Sequence, residues 1–147
     1  MSKPITLGII GGGQLGSMMA SAAKKLEIRT VIFCDDFDAP AQKFSDEFIF
    51  GNYDDQNKIN KFVSRADIIT YEFENIPYET LNQINKSKPV LPKPSVNRII
   101  QHRLAEKDFI NKLNIRTTQY VSIESKSQIH ALKNLLPGIL KTTTLGY

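Results

Sequence analysis

The sequence predicts an α/β fold built around a parallel sheet, and three observations carry that prediction. Short apolar runs alternate with amphipathic segments of about 8 to 14 residues, which is the pattern of βαβ units with right-handed crossovers. The first apolar run stops at three consecutive glycines. The composition is that of a globular chain, with 41% hydrophobic and 23% charged residues. Such a chain has enough apolar surface to form a core, which excludes a disordered protein.

The first six elements follow from their local patterns. A continuous apolar run over 5–10 is typical of a buried parallel strand. Apolar residues from Leu15 to Leu26 recur on one helical face. Asp54-Asp55 stands where a helix N-cap belongs, ahead of a helix with Ile59 and Phe62 on its inner face. The predicted order is therefore a strand over 5–10, a helix over 15–26, strands over 29–34 and 46–50, a helix after Asp55, and a strand over 66–71.

The later elements are predicted from weaker patterns. Pro77 opens a short helix as its first residue, and 89–91 reads as a brief strand. A domain boundary after Pro92-Lys93 divides the chain into 1–93 and 94–147. Beyond it we expect one long amphipathic helix from Ser95 to about Leu113. Two strands, over 118–122 and 138–141, then bracket a helix that runs through Ile129, Leu132 and Leu135-Leu136.

The glycine-rich turn after the first strand is the main candidate site. Residues 11–16, GGGQLG, fit the pattern G-x-G-x-x-G between a strand and a helix. Glycines let backbone N–H groups approach an anion, and the helix N-terminus adds partial positive charge, so a phosphate-bearing ligand is favoured. The alternative is that the glycines only permit a tight turn with close packing.

The glycine turn by itself does not identify the phosphate-bearing ligand. In a dinucleotide-binding site, an acid that ends the second strand holds a ribose. Asp35 or Asp36 lies in the right place for this role, so a Rossmann-like NAD(P)-binding or regulatory module is one interpretation. The signal is weak by itself, because many α/β domains carry an acid at this position.

Four ordered segments resemble one known family, the ATPase subunit of phosphoribosylaminoimidazole carboxylase, also called 5-(carboxyamino)imidazole ribonucleotide synthase. The first segment is the glycine turn with Met18-Met19, and the second is residues 70–77, TYEFENIP. The third joins Pro94-Ser95 to residues 99–107 of the following helix. The fourth is residues 139–147, ILKTTTLGY. The resemblance covers essentially the whole chain.

The resemblance implies a Rossmann-like pre-ATP-grasp domain, over 1–93, followed by the beginning of an ATP-grasp domain, over 94–147. It also implies an ATP-dependent ligase of purine biosynthesis. Such an enzyme uses ATP and Mg²⁺ to activate bicarbonate as carboxyphosphate, which then carboxylates the exocyclic amine of 5-aminoimidazole ribonucleotide. Catalysis of this kind depends on positioning and on charge neutralisation.

The resemblance also assigns binding residues, though no catalytic residue. Gly13, Gln14 and Leu15 are expected to hold the ribonucleotide phosphate, with Glu74 and Asn75 near its imidazole. Arg103, Lys141 and Gly146 are expected at ATP. By their local pattern alone, Glu72 and Glu74 would instead form the solvated face of an edge strand, and Arg103 and Lys141 would be ordinary exposed cations.

Several positions depart from the family pattern. Ser17 stands where arginine is common, His102 where aspartate is usual, and Thr143-Thr144 where arginines are common. The magnesium-binding acids and most of the ATP pocket are expected beyond residue 147, so we expect the 147 residues to be inactive alone. The expected partners are the ribonucleotide, ATP and bicarbonate, and a homodimer or a second chain that completes the enzyme. A non-enzymatic interaction subunit is a further alternative.

Other classes of protein are disfavoured by composition. The net charge is +4 and the basic residues are interleaved with acids, so a nucleic-acid surface is not expected. Cys34, the single cysteine, lies in an apolar run and is predicted to be a small core residue in a reducing compartment. The two histidines have no metal-ligand spacing, and no nucleophilic triad is evident. No apolar run approaches the length of a membrane span, and we expect a cytoplasmic protein without a membrane partner.

Overall fold

The computed structural model describes residues 4–129 and 132–145. Four strands and six α-helices occur in the described chain, with two short 3₁₀ turns at Pro40–Lys43 and Lys133–Leu135. In chain order, the elements are β1 (Thr6–Ile10), α1 (Gln14–Lys25), β2 (Arg29–Cys34), β3 (Glu47–Phe50), α2 (Gln56–Arg65), β4 (Ile68–Tyr71), α3 (Tyr78–Ile84), α4 (Pro94–Ile100), α5 (Arg103–Lys112) and α6 (Lys126–Ile129).

The four strands form one parallel sheet in the order β3-β2-β1-β4. The register pairs Gly8 with Val31 on one side and with Ile69 on the other. The predicted α/β parallel fold is therefore confirmed. The strand predicted over 89–91 is reduced to a single parallel bridge between Ile69 and Val90. Beyond that bridge, β4 has no neighbouring strand on its outer side among the described residues.

Helices cover both faces of the sheet, and each face has its own apolar core. On the α1 face, the buried side chains include Ile9, Ala20 and Ile32. On the opposite face, Phe33 is fully buried and packs edge-to-face on Tyr53, with ring centroids 5.4 Å apart, and against Phe62 at 5.6 Å. Strand residues thus alternate between two cores, as βαβ crossovers on both faces require.

The first turns of α1 and α2 differ in what accepts hydrogen bonds from their backbone N–H groups. Asp55 caps α2 as predicted, since its carboxylate accepts from the N–H groups of Asn57 at 2.9 Å and Lys58 at 3.1 Å. Gly13 is the N-cap of α1 and has no side chain with which to accept. The first turn of α1 must therefore obtain its hydrogen-bond acceptors from elsewhere in the chain.

The long helix predicted from Ser95 to Leu113 is wrong, because the chain breaks it into α4 and α5 at Gln101-His102. His102 has extended backbone angles and begins a new helix: its imidazole Nδ1 accepts from the N–H of Ala105 at 3.4 Å. The apolar periodicity continues across the break, so periodicity alone could not reveal it.

The strands predicted over 118–122 and 138–141 are also wrong, since both segments are irregular in the structure. The first is held to α5 by side chains: Tyr120 donates to Asp108 Oδ1 at 2.5 Å, and Lys107 Nζ donates to Thr118 Oγ1 at 2.8 Å. The second is exposed, with Ile139 at 85%. Of the helix predicted between them, the described residues contain α6 and a 3₁₀ turn at Lys133–Leu135. A β-rich sequence forms a strand only where a partner strand supplies the hydrogen bonds.

The chain divides into two compact units, one up to Asn97 and one from Arg98 onward. The first contains the whole sheet and every buried side chain of the described residues. The second contains α5, in which no residue is buried. The boundary predicted after Pro92-Lys93 stays a prediction.

Candidate functional site

The candidate site lies where the strand order reverses. The chain runs outward from β1 through β2 to β3, then returns to place β4 on the other side of β1. The carboxyl ends of β1 and β4 therefore form a topological switch point. In open parallel sheets, this is where ligands bind, because the loops that leave the two strands diverge to opposite faces.

The glycine turn at the end of β1 is held by backbone hydrogen bonds. The N–H of Gly11 donates to the carbonyl of Phe33 at 2.8 Å, and the carbonyl of Gly12 accepts from Ala41 at 3.0 Å. Gly11 has a φ of 100°, in a region that residues with a side chain rarely adopt. The predicted tight turn between strand and helix is thus present, with glycine required at its first position.

A carboxylate of the chain itself occupies the N-terminal end of α1. Glu72, the residue directly after β4, accepts from the N–H of Gly13 at 2.7 Å and from the N–H of Gly16 at 2.6 Å, one through each carboxylate oxygen. Its own N–H donates to the carbonyl of Ile10 at 3.0 Å. Glu72 is therefore half-buried in the turn, and the solvated edge position expected from its alternation with Tyr71 and Phe73 is wrong for this residue.

Gln14 and Leu15 lie in the first turn of α1, and both residues are exposed. Among the described residues, their backbone N–H groups make no hydrogen bond, whereas the N–H groups of Gly13 and Gly16 donate to Glu72. The Ser17 hydroxyl turns back to donate to the Gly13 carbonyl at 2.8 Å. Two backbone donors at the positive end of the helix thus remain for an external anion.

Glu74 and Asn75 lie in the turn that follows Glu72, at the same edge of the sheet. Both side chains are half-buried, and both take part in interactions within the chain. Because they follow Glu72 by two and three residues, the structure places them beside the switch point. Their assignment to an imidazole ring stays a prediction.

An apolar cleft lies next to the glycine turn. It has a volume of about 360 Å³ and is lined by Leu15, Met18, Met19, Ala22, Tyr71 and Glu72. Leu15 is 55% exposed and Met18 60% exposed. The Tyr71 hydroxyl is buried without a hydrogen-bond partner among the described residues, and burial raises its pKa. An open apolar cleft therefore adjoins the two unpaired N–H groups.

The end of β2 contains the acids that a dinucleotide site would use. Asp35 and Asp36 are exposed, directly after the buried Cys34. Burial raises the pKa of the Cys34 thiol, and burial is also the main cause of the raised pKa of Tyr53, whose hydroxyl lies 3.9 Å from the sulfur. Cys34 is thus a core residue, as its sequence context predicts.

The residues predicted to contact ATP belong to the second unit. Arg103 is the first residue of α5, and its backbone N–H donates to the carbonyl of Thr143 at 2.9 Å. Lys141 is exposed and precedes Thr143 by two residues. The structure thus brings the start of α5 to the segment that carries Lys141, while Gly146 lies outside the described residues.

Two further features bear on ligands and location. Within residues 4–129 and 132–145, no group of three or more histidine, cysteine, aspartate or glutamate side chains is arranged to hold a metal ion. Over the same residues, no helix is long and apolar enough to cross a membrane.

Glu72 is the site residue that the sequence interpretation did not select. A signal for it exists: it is an acid placed directly after a strand, one sheet position from the glycine turn. Since the carboxyl ends of adjacent parallel strands share an edge, an acid there can reach the first turn of the helix that follows the neighbouring strand.

Comparison with known proteins supports the resemblance. The family described as ribonucleotide synthetase preATP-grasp domain matches residues 4–101. The bifunctional purine synthesis protein purC/E of Dictyostelium discoideum is 40% identical over 144 residues. N5-carboxyaminoimidazole ribonucleotide synthase of Brucella melitensis is 37% identical over 144 residues.

A solved structure agrees over most of the chain. The N5-carboxyaminoimidazole synthetase of Staphylococcus aureus, crystallised with ADP, has a TM-score of 0.82 at 32% identity and covers 89% of this chain. The chain spans only part of these proteins: 14% of the Dictyostelium protein, 40% of the Brucella protein and 35% of the Staphylococcus chain.

Proposed function

The chain belongs to the ribonucleotide synthetase preATP-grasp family, and on that premise we propose that it binds 5-aminoimidazole ribonucleotide for an ATP-dependent carboxylation. One observation supports the proposal above all. The glycine turn after β1 and the Glu72–Asn75 turn after β4 meet at the same switch point of the sheet. The identities of 40% and 37% to purine-synthesis proteins support the substrate class.

The proposed reaction has two steps. Bicarbonate oxygen attacks the γ-phosphorus of ATP, forming carboxyphosphate and releasing ADP. The exocyclic amine nitrogen of the ribonucleotide then attacks the carboxyl carbon; an N–C bond forms, the C–O bond to phosphate breaks, and the amine loses a proton. The product is 5-carboxyaminoimidazole ribonucleotide. In such chemistry the protein positions the reactants and neutralises charge.

Residues of this chain are proposed to bind and orient the ribonucleotide. The N–H groups of Gln14 and Leu15 donate to the phosphate, because they are unpaired donors at the positive end of α1. Gly13 shapes the turn. Glu74 and Asn75 accept from and donate to the amino-imidazole edge, since a carboxylate and an amide together offer both kinds of partner. No residue of this chain is assigned to bond making or breaking.

The ATP site is proposed to draw on the second unit. Arg103 and Lys141 are cations that suit a polyphosphate, and the Arg103–Thr143 hydrogen bond holds their segments together. Gly146 completes this set by resemblance. Within the described residues, no cluster of acids fits Mg²⁺.

The proposal concerns these 147 residues, which correspond to less than half of each relative reported above. We expect ribonucleotide binding by these residues and no carboxylation by them alone. The complete activity requires the remainder of the ATP-grasp fold, in the same chain or a second one, and a homodimer is the expected assembly. We further propose a cytoplasmic location, where purine nucleotides are made.

The test is thermal unfolding with 5-aminoimidazole ribonucleotide, with Mg-ATP and with NAD. A ligand that binds only the folded chain adds about 2.7 kcal/mol of stability at 100 times its dissociation constant. A rise in the midpoint with the ribonucleotide and none with NAD supports the proposal. A rise with NAD alone favours the dinucleotide-binding alternative and contradicts it.

A matched pair of proline variants locates the site. Gln14→Pro removes one unpaired N–H at the first position of α1, where proline is tolerated and where the preceding Gly13 is already extended. Gln56→Pro makes the same backbone change at the first position of α2, after the extended Asp55, and also removes exposed side-chain hydrogen bonds to Asn60 and Gln83. We expect ribonucleotide affinity to fall at least about tenfold in the first variant only, as loss of a charge-assisted hydrogen bond predicts. Equal effects in both variants would place the ligand elsewhere.

A further inference from the structure

The glycines of the turn make room for Glu72 rather than for a ligand. A Cβ added to Gly11 would overlap Glu72 Cγ, and one added to Gly13 would lie 2.9 Å from Oε1. A Cβ on Gly16 would lie 3.2 Å from Oε2, as well as 2.9 Å from the Gly11 carbonyl oxygen. Each of the three positions in G-x-G-x-x-G is thus filled, in part, by atoms of one glutamate side chain.

Glu72 occupies the place that a phosphate would take in a dinucleotide site. In that fingerprint, the second glycine lets the backbone approach a pyrophosphate, which lies at the N-terminus of the following helix. Here the second and third glycines, Gly13 and Gly16, donate their N–H groups to the Glu72 carboxylate at 2.7 and 2.6 Å. The two interactions are hydrogen bonds to a charged acceptor at the positive end of a helix dipole, the strongest class of such contact.

We propose that Glu72 is the specificity-determining residue of the glycine turn: its carboxylate fills the pyrophosphate position and so excludes dinucleotides from a loop that otherwise fits their fingerprint. A pyrophosphate would have to displace Glu72, break two charge-assisted hydrogen bonds and face a negative charge held by the chain. The acids at the end of β2, Asp35 and Asp36, therefore do not make this a NAD(P) site.

The same arrangement leaves room for one phosphate monoester. Glu72 accepts from the N–H groups of Gly13 and Gly16. The N–H groups of Gln14 and Leu15, which lie between them in the chain, have no acceptor among the described residues. A ribonucleotide with a single 5′-phosphate would accept from these two donors. This part of the inference rests on the proposed function, whereas the exclusion of dinucleotides rests on Glu72 alone.

The experiment follows the backbone amide resonances of residues 13–16 in the ¹⁵N-labelled 147-residue chain. Four proteins are compared: the natural chain, Glu72→Gln, Glu72→Ala and the matched control Glu47→Gln. Among the described residues, the Glu47 carboxylate forms ion pairs to Lys61 and Arg65 near the start of β3. The added ligands are NAD and ribose 5-phosphate. The remaining resonances report whether each variant is folded.

The Gly13 and Gly16 amide protons should resonate at lower field in the natural chain and in Glu47→Gln than in Glu72→Ala, where the carboxylate acceptor is missing. In Glu72→Gln at least one of the two should move upfield, because the side-chain amide keeps one acceptor oxygen but replaces the other with a donor. NAD should leave residues 13–16 of the natural chain unmoved and should bind Glu72→Ala at least tenfold more tightly than it binds the natural chain. If Glu72→Ala does not fold, Glu72→Gln takes its place in the NAD comparison.

Binding of NAD at Gly13 and Gly16 in the natural chain overturns the inference. So does a folded variant without the Glu72 carboxylate that gains no affinity for NAD. Ribose 5-phosphate separates the two proposals. If it fails to shift the Gln14 and Leu15 resonances, the proposed phosphate site fails, while the assignment of Glu72 is still tested by the Gly13 and Gly16 amide shifts.

Discussion

The two units of the chain contrast in how their side chains are buried. Up to Asn97, a parallel sheet is covered on both faces and Phe33, Phe62 and Ile69 are fully buried. From Arg98 onward, no described side chain is buried, and contacts such as Tyr120 to Asp108 and Lys107 to Thr118 lie at the surface.

This contrast indicates where the stability and the site of the chain reside. Burial of apolar surface is the main favourable term in folding, whereas exposed hydrogen bonds and ion pairs contribute little. The first unit can therefore hold the glycine turn and Glu72 in fixed geometry. The second unit displays Arg103 and Lys141 on a framework whose apolar side chains, including Leu140 at 72% exposure, have no core of their own among the described residues.

The largest expected effect on stability is seen by replacing one phenylalanine in each unit. Phe62→Ala removes a fully buried ring that packs on Phe33, and it should lower the free energy of unfolding by about 3 to 5 kcal/mol. Phe109→Ala removes a ring of α5 that is 47% exposed and should cost less than about 1 kcal/mol. Urea unfolding followed by circular dichroism measures both. Similar losses in the free energy of unfolding would show that the two units have cores that stabilise them to a similar extent.

The next effect tests the fit of Glu72 in the glycine turn. Gly11→Ala forces a side chain into a φ of 100° and against Glu72, and it should cost about 1 to 3 kcal/mol from backbone strain alone. Glu72→Ala in the same protein should recover part of that cost, because the overlapping group is removed. Strictly additive costs of the two changes would mean that Gly11 and Glu72 do not interact.

A smaller effect on stability is expected from removing the helix cap in each unit. Asp55 accepts from two N–H groups of α2, so Asp55→Ala should cost about 1 kcal/mol. His102 makes a single contact of 3.4 Å at the start of α5, so His102→Ala should cost roughly a few tenths of that. The measurement is the shift in urea midpoint at unchanged slope. A larger loss for His102→Ala would reverse the ranking of the two units.

The smallest effect is a pH dependence from Cys34. Burial raises the pKa of its thiol above the ordinary value of 9.0, so the unfolded chain loses this proton first as the pH rises. The stabilising contribution is fully present below about pH 9 and is lost as the pH rises through the folded pKa. The free energy of unfolding should therefore fall more steeply above pH 9 in the natural chain than in Cys34→Ala. Parallel pH profiles would contradict this account of the thiol.

The first unit was predictable because its signals are local and agree with one another. The apolar run of β1, the glycines that end it and the Asp55 cap each specify one element. Glu72 was harder to select, because its role depends on which strand lies beside β1, and that pairing follows from the whole sheet order rather than from residues 71–73.

The second unit was predicted less well for a physical reason. The residues on either side of Gln101-His102 keep helical periodicity, so only the extended backbone and cap of His102 reveal the break. Residues 118–122 are β-rich, but β propensity expresses fit to neighbouring strands, and here the segment contacts α5 instead. Of the candidate ATP residues, the sequence could suggest Arg103 and Lys141 only through the family resemblance.

Amide hydrogen exchange with and without 5-aminoimidazole ribonucleotide tests the central claim most directly. The account predicts strong protection in β1, β2 and β4, weak protection beyond Arg98, and slower exchange on ligand addition at residues 13–16 and 72–75. NAD should produce no such change. Ligand protection confined to residues after Arg98, or an equal response to NAD at the glycine turn, would contradict the assignment of the ribonucleotide site to the first unit.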